Sequence, residues 1–369
     1  MSVVFEDTLV FEELAVAGYE KVLKITDEKS GLKAIICIHN TTLGPALGGT
    51  RIYPYRTFDE ALTDVLRLAR GMTYKSALAE TGFGGGKSVI IADPAFQKTP
   101  ELLRAFGRAV DRLGGEYICA EDVGSTTADM MIIREETSYV VGLAHEKSSG
   151  DPSPFTAWGT FRGIQAILKK IFGNDGVQDR VIALQGLGNV GSKLAEFLFW
   201  AGAKLIVTDI DAKRTDKFAR LYGAKICHPD AIYDVECDVF VPCAMGGIIN
   251  PRTIPRLRCK AVAGSTNNQL LTDSDADELI RLGILYAPDF VINAGGLINV
   301  THELDEEGYR STAAQQKVYN IYDKLMIIFD IAEQNHFSTN RAAIALGEYR
   351  LKYRVGKRLI PPSFHHAFV

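Results

Sequence analysis

The chain has 369 residues, with 41 Lys plus Arg against 45 Asp plus Glu (formal net charge −4), and is 47% hydrophobic and 23% charged. The length predicts two domains at about 150 residues each, the charge excludes a nucleic-acid protein built on bulk positive charge, and the composition excludes global disorder. No apolar run reaches the roughly 18–20 residues that span a bilayer, and Glu6, Asp7, Glu12 and Glu13 stand where a secretory leader would carry bases. Cys37, Cys119, Cys227, Cys237, Cys243 and Cys259 form no C-x-x-C pair. They are too sparse for a disulfide scaffold and fit a reducing cytoplasm.

In chain order, Leu32 to Ile38 is an apolar run of strand length. Thr57 and Glu60 then form a capping box, followed by Phe58, Ala61, Leu62, Val65, Leu68 and Ala69 at helical spacing, with Gly71 as the expected stop. Val89 to Ala92 and Tyr117 to Ala120 read as further strands. Strands alternating with helices predict an α/β fold with a mainly parallel sheet in residues 1–150. The stretch from Ser148 to Pro154 is small-residue and proline-bearing, and is expected to be the hinge. A helix over Ala157 to Lys169 follows, then strands at Val181–Leu184, Leu205–Thr208, Val239–Val241, Ala261–Ala263 and Ile284–Ala287. That is a doubly wound pattern, expected as a second domain over 151–335. Val318, Ile321, Tyr322, Leu325, Ile328, Phe329 and Ala332 mark one face of a long helix, and 336–369 is expected to pack back on the first domain. His365-His366 reads as a metal pair or simply a tail; with no third ligand nearby, no metal site is expected.

Val181 to Gln185 leads into Gly186-Leu187-Gly188-Asn189-Val190-Gly191-Ser192, a strand followed by G-x-G-x-x-G and a helix. Gly186 would allow the tight turn, Gly188 would let the backbone approach a pyrophosphate, and Gly191 would let helix and strand pack closely. The next strand ends in Asp209, 23 residues past Gly186, where an acid binds the adenosine ribose hydroxyls. A carboxylate there would repel a 2′-phosphate, so the expected cofactor is NAD. The alternative is a glycine-rich turn without a ligand, with Asp209 as a turn residue or cap.

Gly84-Gly85-Gly86-Lys87-Ser88 invites a P-loop reading, but the first glycine of G-x-x-x-x-G-K-[ST] falls on Thr81, and the apolar strand follows the lysine instead of preceding it. The better reading is that the glycines bring the backbone close to a ligand while Lys87 projects toward it. Lys75 lies upstream. Two lysines at one small site disfavour double protonation, and a lysine so depressed acts as a general base. Asp122, in Glu121-Asp122-Val123-Gly124, supplies an acid at a strand end. The alternative makes the lysines solvated surface charges and Asp122 a helix cap.

Gly44-Pro45-Ala46-Leu47-Gly48-Gly49-Thr50-Arg51, Met72-Thr73-Tyr74-Lys75, Gly84-Gly85-Gly86-Lys87, Glu121-Asp122-Val123-Gly124 and Asn293-Ala294-Gly295-Gly296 stand in the order found in the glutamate/leucine/phenylalanine/valine dehydrogenases. The chain resembles that family from about residue 5 to 335. It is most similar to the branch acting on leucine, which Cys237 to Ala244 and Gly246 to Asn250 also resemble. The resemblance implies NAD-dependent, reversible oxidative deamination of branched-chain L-amino acids to 2-oxo acids and ammonium. It implies that Lys75 binds the substrate carboxylate, Lys87 activates water and Asp122 exchanges protons with the amine. Thr156 and Asn293 would contact the nicotinamide end of the cofactor, and Asn268 the substrate carboxylate or the cofactor. A cleft closing between the domains would exclude bulk water.

By the same resemblance, Leu47, Gly48, Ala120, Leu297 and Val300 line the side-chain pocket. Glutamate-using relatives have a lysine and a serine at the places of Leu47 and Val300, so a distal carboxylate would be buried unpaired here. Leu297 stands where a smaller valine is usual in the leucine branch, and Gly191 where alanine is. The phenylalanine branch can carry leucine at 297, so phenylalanine or valine as substrate stays open. So does a non-catalytic NAD-binding protein on the same fold. Homo-oligomers, commonly octamers, are implied by the resemblance alone; no nucleic-acid or membrane partner is expected.

Overall fold

The computed structural model describes residues 8–143 and 148–364. His365-His366 and the acids Glu6 and Asp7 lie outside the described residues. The chain divides into two compact units.

The first unit holds Met1–Gly150, Val300–Arg310 and Arg350–Val369. Its strands are β1 (Val10–Glu13), β2 (Lys21–Asp27), β3 (Leu32–Asn40), β4 (Ala46–Tyr53), β5 (Gly84–Ile91) and β6 (Tyr117–Glu121), and its helices α1 (Phe58–Leu78), α2 (Pro100–Asp111) and α3 (Thr127–Arg134). The six strands form one sheet in the order β1-β2-β3-β5-β4-β6. β5, β4 and β6 run parallel, as expected of an α/β unit, while β1, β2 and β3 add antiparallel pairings on one side. Both faces are covered. Ala61, Val65 and Ala69 of α1 pack with Val22, Ile35, Cys37 and Val89. On the other face Phe106, Met130 and Ile133 of α2 and α3 pack with Ile36, Ile90 and Tyr117. Double coverage explains why β3 reads as a continuous apolar run without alternation.

Three local expectations change. The helix does not stop at Gly71 but runs to Leu78. Thr73, Tyr74, Ala77 and Leu78 are buried beyond it, and that burial outweighs the ~1 kcal/mol propensity cost of a mid-helix glycine. The capping box is only half made: Thr57 accepts the Glu60 amide, but the Glu60 carboxylate accepts from Arg56, one residue too early. Gly84, Gly85 and Gly86 form the start of β5 and not a loop. A Cβ on Gly85 would sit 2.1 Å from the Thr73 amide nitrogen, so the glycine admits α1 onto the strand.

The second unit holds Asp151–Asn299 and Ser311–Tyr349. Its strands are β7 (Val181–Gln185), β8 (Lys204–Thr208), β9 (Lys225–Ile226), β10 (Glu236–Pro242), β11 (Arg258–Val262) and β12 (Leu285–Tyr286). Helices α4 (Ser153–Phe172), α5 (Asn189–Trp200), α6 (Ala212–Tyr222), α7 (Asp275–Arg281) and α8 (Asp289–Ile292) follow in chain order, then α9 (Gly295–Thr301), α10 (Ser311–Asn335) and α11 (Thr339–Tyr353). The sheet is parallel throughout, in the order β12-β11-β10-β7-β8-β9. Read outward from β7 this is the doubly wound order of a dinucleotide-binding (Rossmann) sheet, whose strand order reverses between β7 and β10.

The division leaves residues 336–349 with the second unit; the chain rejoins the first only from Arg350. There Arg350 is buried, donates to the Ala77 carbonyl at the end of α1 and pairs with Glu80 at 2.6 Å. A burial-driven anchor of this kind has no periodic signature in the sequence, and neither has the return of Val300–Arg310 to the first unit.

Candidate active site

In the first unit the working groups meet across β4. Gly49 of β4 pairs with Ala120 of β6, and Leu47 and Thr50 flank it opposite Gly85 and Ser88 of β5. Lys87 therefore stands to one side of Gly49, and Asp122, just past the end of β6, reaches back from the other. A Cβ built on Gly49 would lie 3.1 Å from Lys87 Nζ and 2.8 Å from Asp122 Cβ. The space that glycine leaves is the space in which the lysine and the aspartate touch: Lys87 Nζ donates to Asp122 Oδ1 at 2.7 Å. Their side chains are 6% and 14% exposed.

Two further groups hold Asp122. Its amide donates to Ser125 Oγ at 2.8 Å, and that hydroxyl donates to the Thr50 carbonyl at 2.8 Å. Arg51 Nε donates to Asp122 Oδ2 at 2.9 Å. Burial alone would push the Asp122 carboxyl up. The Lys87 ammonium and then the Arg51 guanidinium overcome that and hold it at about 2, so it is a carboxylate at any physiological pH. Asp122 caps no helix; the cap of α3 is Thr126, which makes a full box with Asp129.

Lys75 lies in the last turn of α1, half-buried, two residues past the Thr73 that packs on Gly85. Leu47 is buried, Gly48 is packed against the Gly86 carbonyl and Ala120 is half-buried. Val300 belongs with them in the first unit, whereas Asn268 and Leu297 belong to the second.

In the second unit Gly186 takes φ +96, and its Cβ would strike Ala244 and the Cys243 carbonyl at 2.9 Å, so the turn sits where β7 and β10 diverge. Gly191 packs 1.9 Å (as an ideal Cβ) from the Gly186 carbonyl, leaving no room for an alanine without a shift. Gly188 is the N-cap of α5 and makes no side-chain cap, so the first-turn amides of Asn189, Val190 and Gly191 have no side-chain acceptor. Beyond a Gly188 Cβ the nearest atom is Arg214 Nη1 at 4.0 Å. An uncapped helix start with space beside Gly188 is a fitting receptor for a pyrophosphate. Ser192 Oγ, by contrast, is turned back onto the Gly188 carbonyl.

Asp209 follows directly on β8, with its side chain 6% exposed. Its carboxylate accepts the Leu187 amide at 2.6 Å and the Asp211 amide at 2.8 Å, which ties the second strand to the glycine turn. Asn293 donates to Asn267 Oδ1 at 2.7 Å and to the Ser265 carbonyl, while its own buried Oδ1 has no partner in the structure. An orphaned buried acceptor of this kind fits an amide-bearing ligand. Thr156 stands at the start of α4, where a Cβ on Gly296 would be 2.6 Å from its hydroxyl.

Sequence reasoning passed over Gly49 and Arg51, which it quoted only as part of a run, and Asp64, Tyr55, Ser125 and Arg214 altogether. Asp64 did leave a signal. It lies three residues after Ala61 and four before Leu68, on the buried face of α1, where a carboxylate needs a partner. Arg214 Nη1, 3.7 Å from Asp209 Oδ2, partly offsets the charge on which the choice of NAD rests. Among the described residues no group of three or more side chains could hold a metal, and no helix is long and apolar enough to cross a membrane.

Comparison with known proteins places this geometry. Residues 19–139 match the Glu/Leu/Phe/Val dehydrogenase dimerisation domain, and 206–336 the glutamate/leucine/phenylalanine/valine dehydrogenase domain. Leucine dehydrogenase of Thermoactinomyces intermedius is 51% identical over 93% of this chain and 93% of its own. Phenylalanine dehydrogenase of Caldalkalibacillus thermarum is 48% identical over 94% of each. The crystal structure of L-tryptophan dehydrogenase from Nostoc punctiforme superposes with a TM-score of 0.80 at 45% identity, covering 91% of this chain and 96% of that one. The chain belongs to the glutamate/leucine/phenylalanine/valine dehydrogenase family of amino-acid dehydrogenases.

Proposed function

We propose that the protein catalyses the NAD-dependent, reversible oxidative deamination of L-leucine and other branched-chain L-amino acids. The observation that carries the reading is the buried Lys87–Asp122 contact, a base and a carboxylate held 2.7 Å apart beside apolar Leu47. Lys75 would pair with the substrate α-carboxylate. Asp122, a carboxylate by its surroundings, would take a proton from the substrate ammonium. Bound NAD would supply the hydride acceptor for the α-carbon. Lys87 would then take a proton from the water adding to the imine carbon, and collapse of the carbinolamine would give the 2-oxo acid and ammonium. Run backward, protonated Lys87 would release that water.

The amides at the start of α5 would hold the pyrophosphate, Asp209 the adenosine ribose, and Thr156 and Asn293 the nicotinamide end, with Asn268 at the substrate carboxylate or the cofactor. Leu47, Gly48, Ala120, Leu297 and Val300 would line the side-chain pocket. With no hydrogen-bonding side chain among them, a glutamate carboxylate would be desolvated without a partner, at several kcal/mol. An aromatic amino acid is the second reading, favoured by the phenylalanine and tryptophan dehydrogenases at nearly the same identity. The match of residues 19–139 to a model described as a dimerisation domain supports a homo-oligomer, an octamer by resemblance. The test is NADH formation with a panel of amino acids, compared by kcat/KM. Leucine, isoleucine or valine should exceed glutamate by orders of magnitude, and phenylalanine or tryptophan ahead of leucine would replace the first reading by the second.

A further inference from the structure

The Lys87–Asp122 pair poses a problem for its own chemistry. Lys87 donates a hydrogen bond to Asp122 in the structure, yet a base must release its proton. The face of the sheet that carries the pair also carries a chain of groups leading away from it. Arg51 spans two carboxylates, with Nε on Asp122 Oδ2 at 2.9 Å and Nη1 on Asp64 Oδ2 at 2.8 Å. The Tyr55 hydroxyl donates to the same Asp64 oxygen. Burial and Asp64 push the Tyr55 phenol up, so it remains a donor.

We propose that Arg51 is a positioning residue for the acid–base pair: anchored by Asp64 and Tyr55, it fixes Asp122 through one carboxylate oxygen and shares that charge, so that Lys87 can give up its proton. The inference rests on the assignment of Lys87 as base. Arginine suits the task because it does not itself deprotonate and its fork spans two acceptors in fixed geometry. The other titratable groups on this face do not do the same work. Cys37, opposite Lys87 on β3, has its thiol pushed up to about 12 by burial. His39, two residues on, bonds Thr73 Oγ1 and is pushed down by burial and by Arg70. Tyr19 and Tyr74 stand against the His39 ring, with the Tyr19 phenol pushed up by burial, and burial pushes the Tyr117 phenol well up too; of Arg70 and Lys75 on α1, Lys75 is assigned to the substrate.

The test is the pH dependence of kcat for leucine oxidation, which reports groups in the substrate complex. In Arg51→Gln the limb that rises with pH should move to higher pH by about one pH unit, because the full Asp122 charge then holds the Lys87 proton. Arg51→Lys, which keeps the charge but not the fork, should leave the limb near its wild-type position while kcat falls several-fold. Asp64→Asn leaves Arg51 less neutralised and should move the limb the opposite way, to lower pH. A purely structural role would lower kcat equally at all pH values. An unmoved limb in both Arg51→Gln and Asp64→Asn overturns the inference, and Asp64→Asn alone decides it if Arg51→Gln does not fold. A wild-type protein inactive on amino acids, or an active Lys87→Ala, sinks the reading of the site itself. An active wild type, an inactive Lys87→Ala and an unmoved limb sink only the role of Arg51.

Discussion

In the first unit the groups of the site are side chains, drawn from the middle of β5, from β4 and from the turn after β6. In the second they are backbone amides, drawn from one turn and the first residues of α5. The first arrangement buries charge. Lys87, Asp122, Arg51 and Asp64 leave water together, and each is tolerable only while its partners stay in place. The second buries a single carboxylate, Asp209, and satisfies it with backbone amides. Its requirement is conformational, a positive φ at Gly186 and room for a close approach at Gly191. The two units should therefore fail differently. Loss of one charged side chain in the first strands another, whereas the second fails when a methyl group is added or when its single carboxylate is lost.

The sharpest way to break that comparison is Lys87→Ala. Oxidative deamination should fall by at least ~10³-fold, while NAD affinity, measured by fluorescence titration, stays within a few-fold because the dinucleotide fold is in the other unit. Near-normal turnover would end the proposed mechanism. Gly49→Ala is expected to cost about 10²-fold in kcat, because the added methyl falls 2.6 Å from the Glu121 carbonyl, within the space that Lys87 and Asp122 share. The melting temperature should fall as well, and a variant as active as wild type would show that the pair tolerates separation.

Asp209→Ala tests the second unit. It should raise the KM for NAD by about tenfold and relax discrimination against NADP, since it removes the ribose acceptor and the repelling charge while Arg214 remains. A wild-type preference for NADP would contradict the assignment of Asp209. The smallest effect is expected at the pocket. Leu297→Ala should move the phenylalanine-to-leucine ratio of kcat/KM toward phenylalanine by about tenfold, the worth of one or two methylenes. An unchanged ratio would remove Leu297 from the pocket.

The dinucleotide turn could be read from the chain because its parts are consecutive: strand, three glycines at fixed spacing, helix, and an acid at the end of the next strand. A backbone site is made by local conformation, and local conformation is written locally. Five of the six strands of the second sheet were legible for the same reason, as short apolar runs; β9, two exposed residues long, carries no such run. Lys87 and Asp122 could be singled out only one at a time, by composition and by resemblance.

That they touch was decided by the sheet order. β4 enters between β5 and β6, although β5 and β6 follow it in the chain, and the glycine at 49 removes the side chain that would keep them apart. The same holds for Arg51 and Asp64. Thirteen positions separate them, they sit on a strand and a helix, and only the packing of α1 on that face makes them partners. The glycines at 84–86 read as places where a ligand comes close to the backbone because glycine permits many close approaches, and the sequence does not say to what; at Gly85 the approaching group is Thr73 of α1. Local periodicity and turn chemistry are thus properties of the chain, whereas the pairing of buried charges belongs to the packed fold, because burial is what obliges each charge to find its partner.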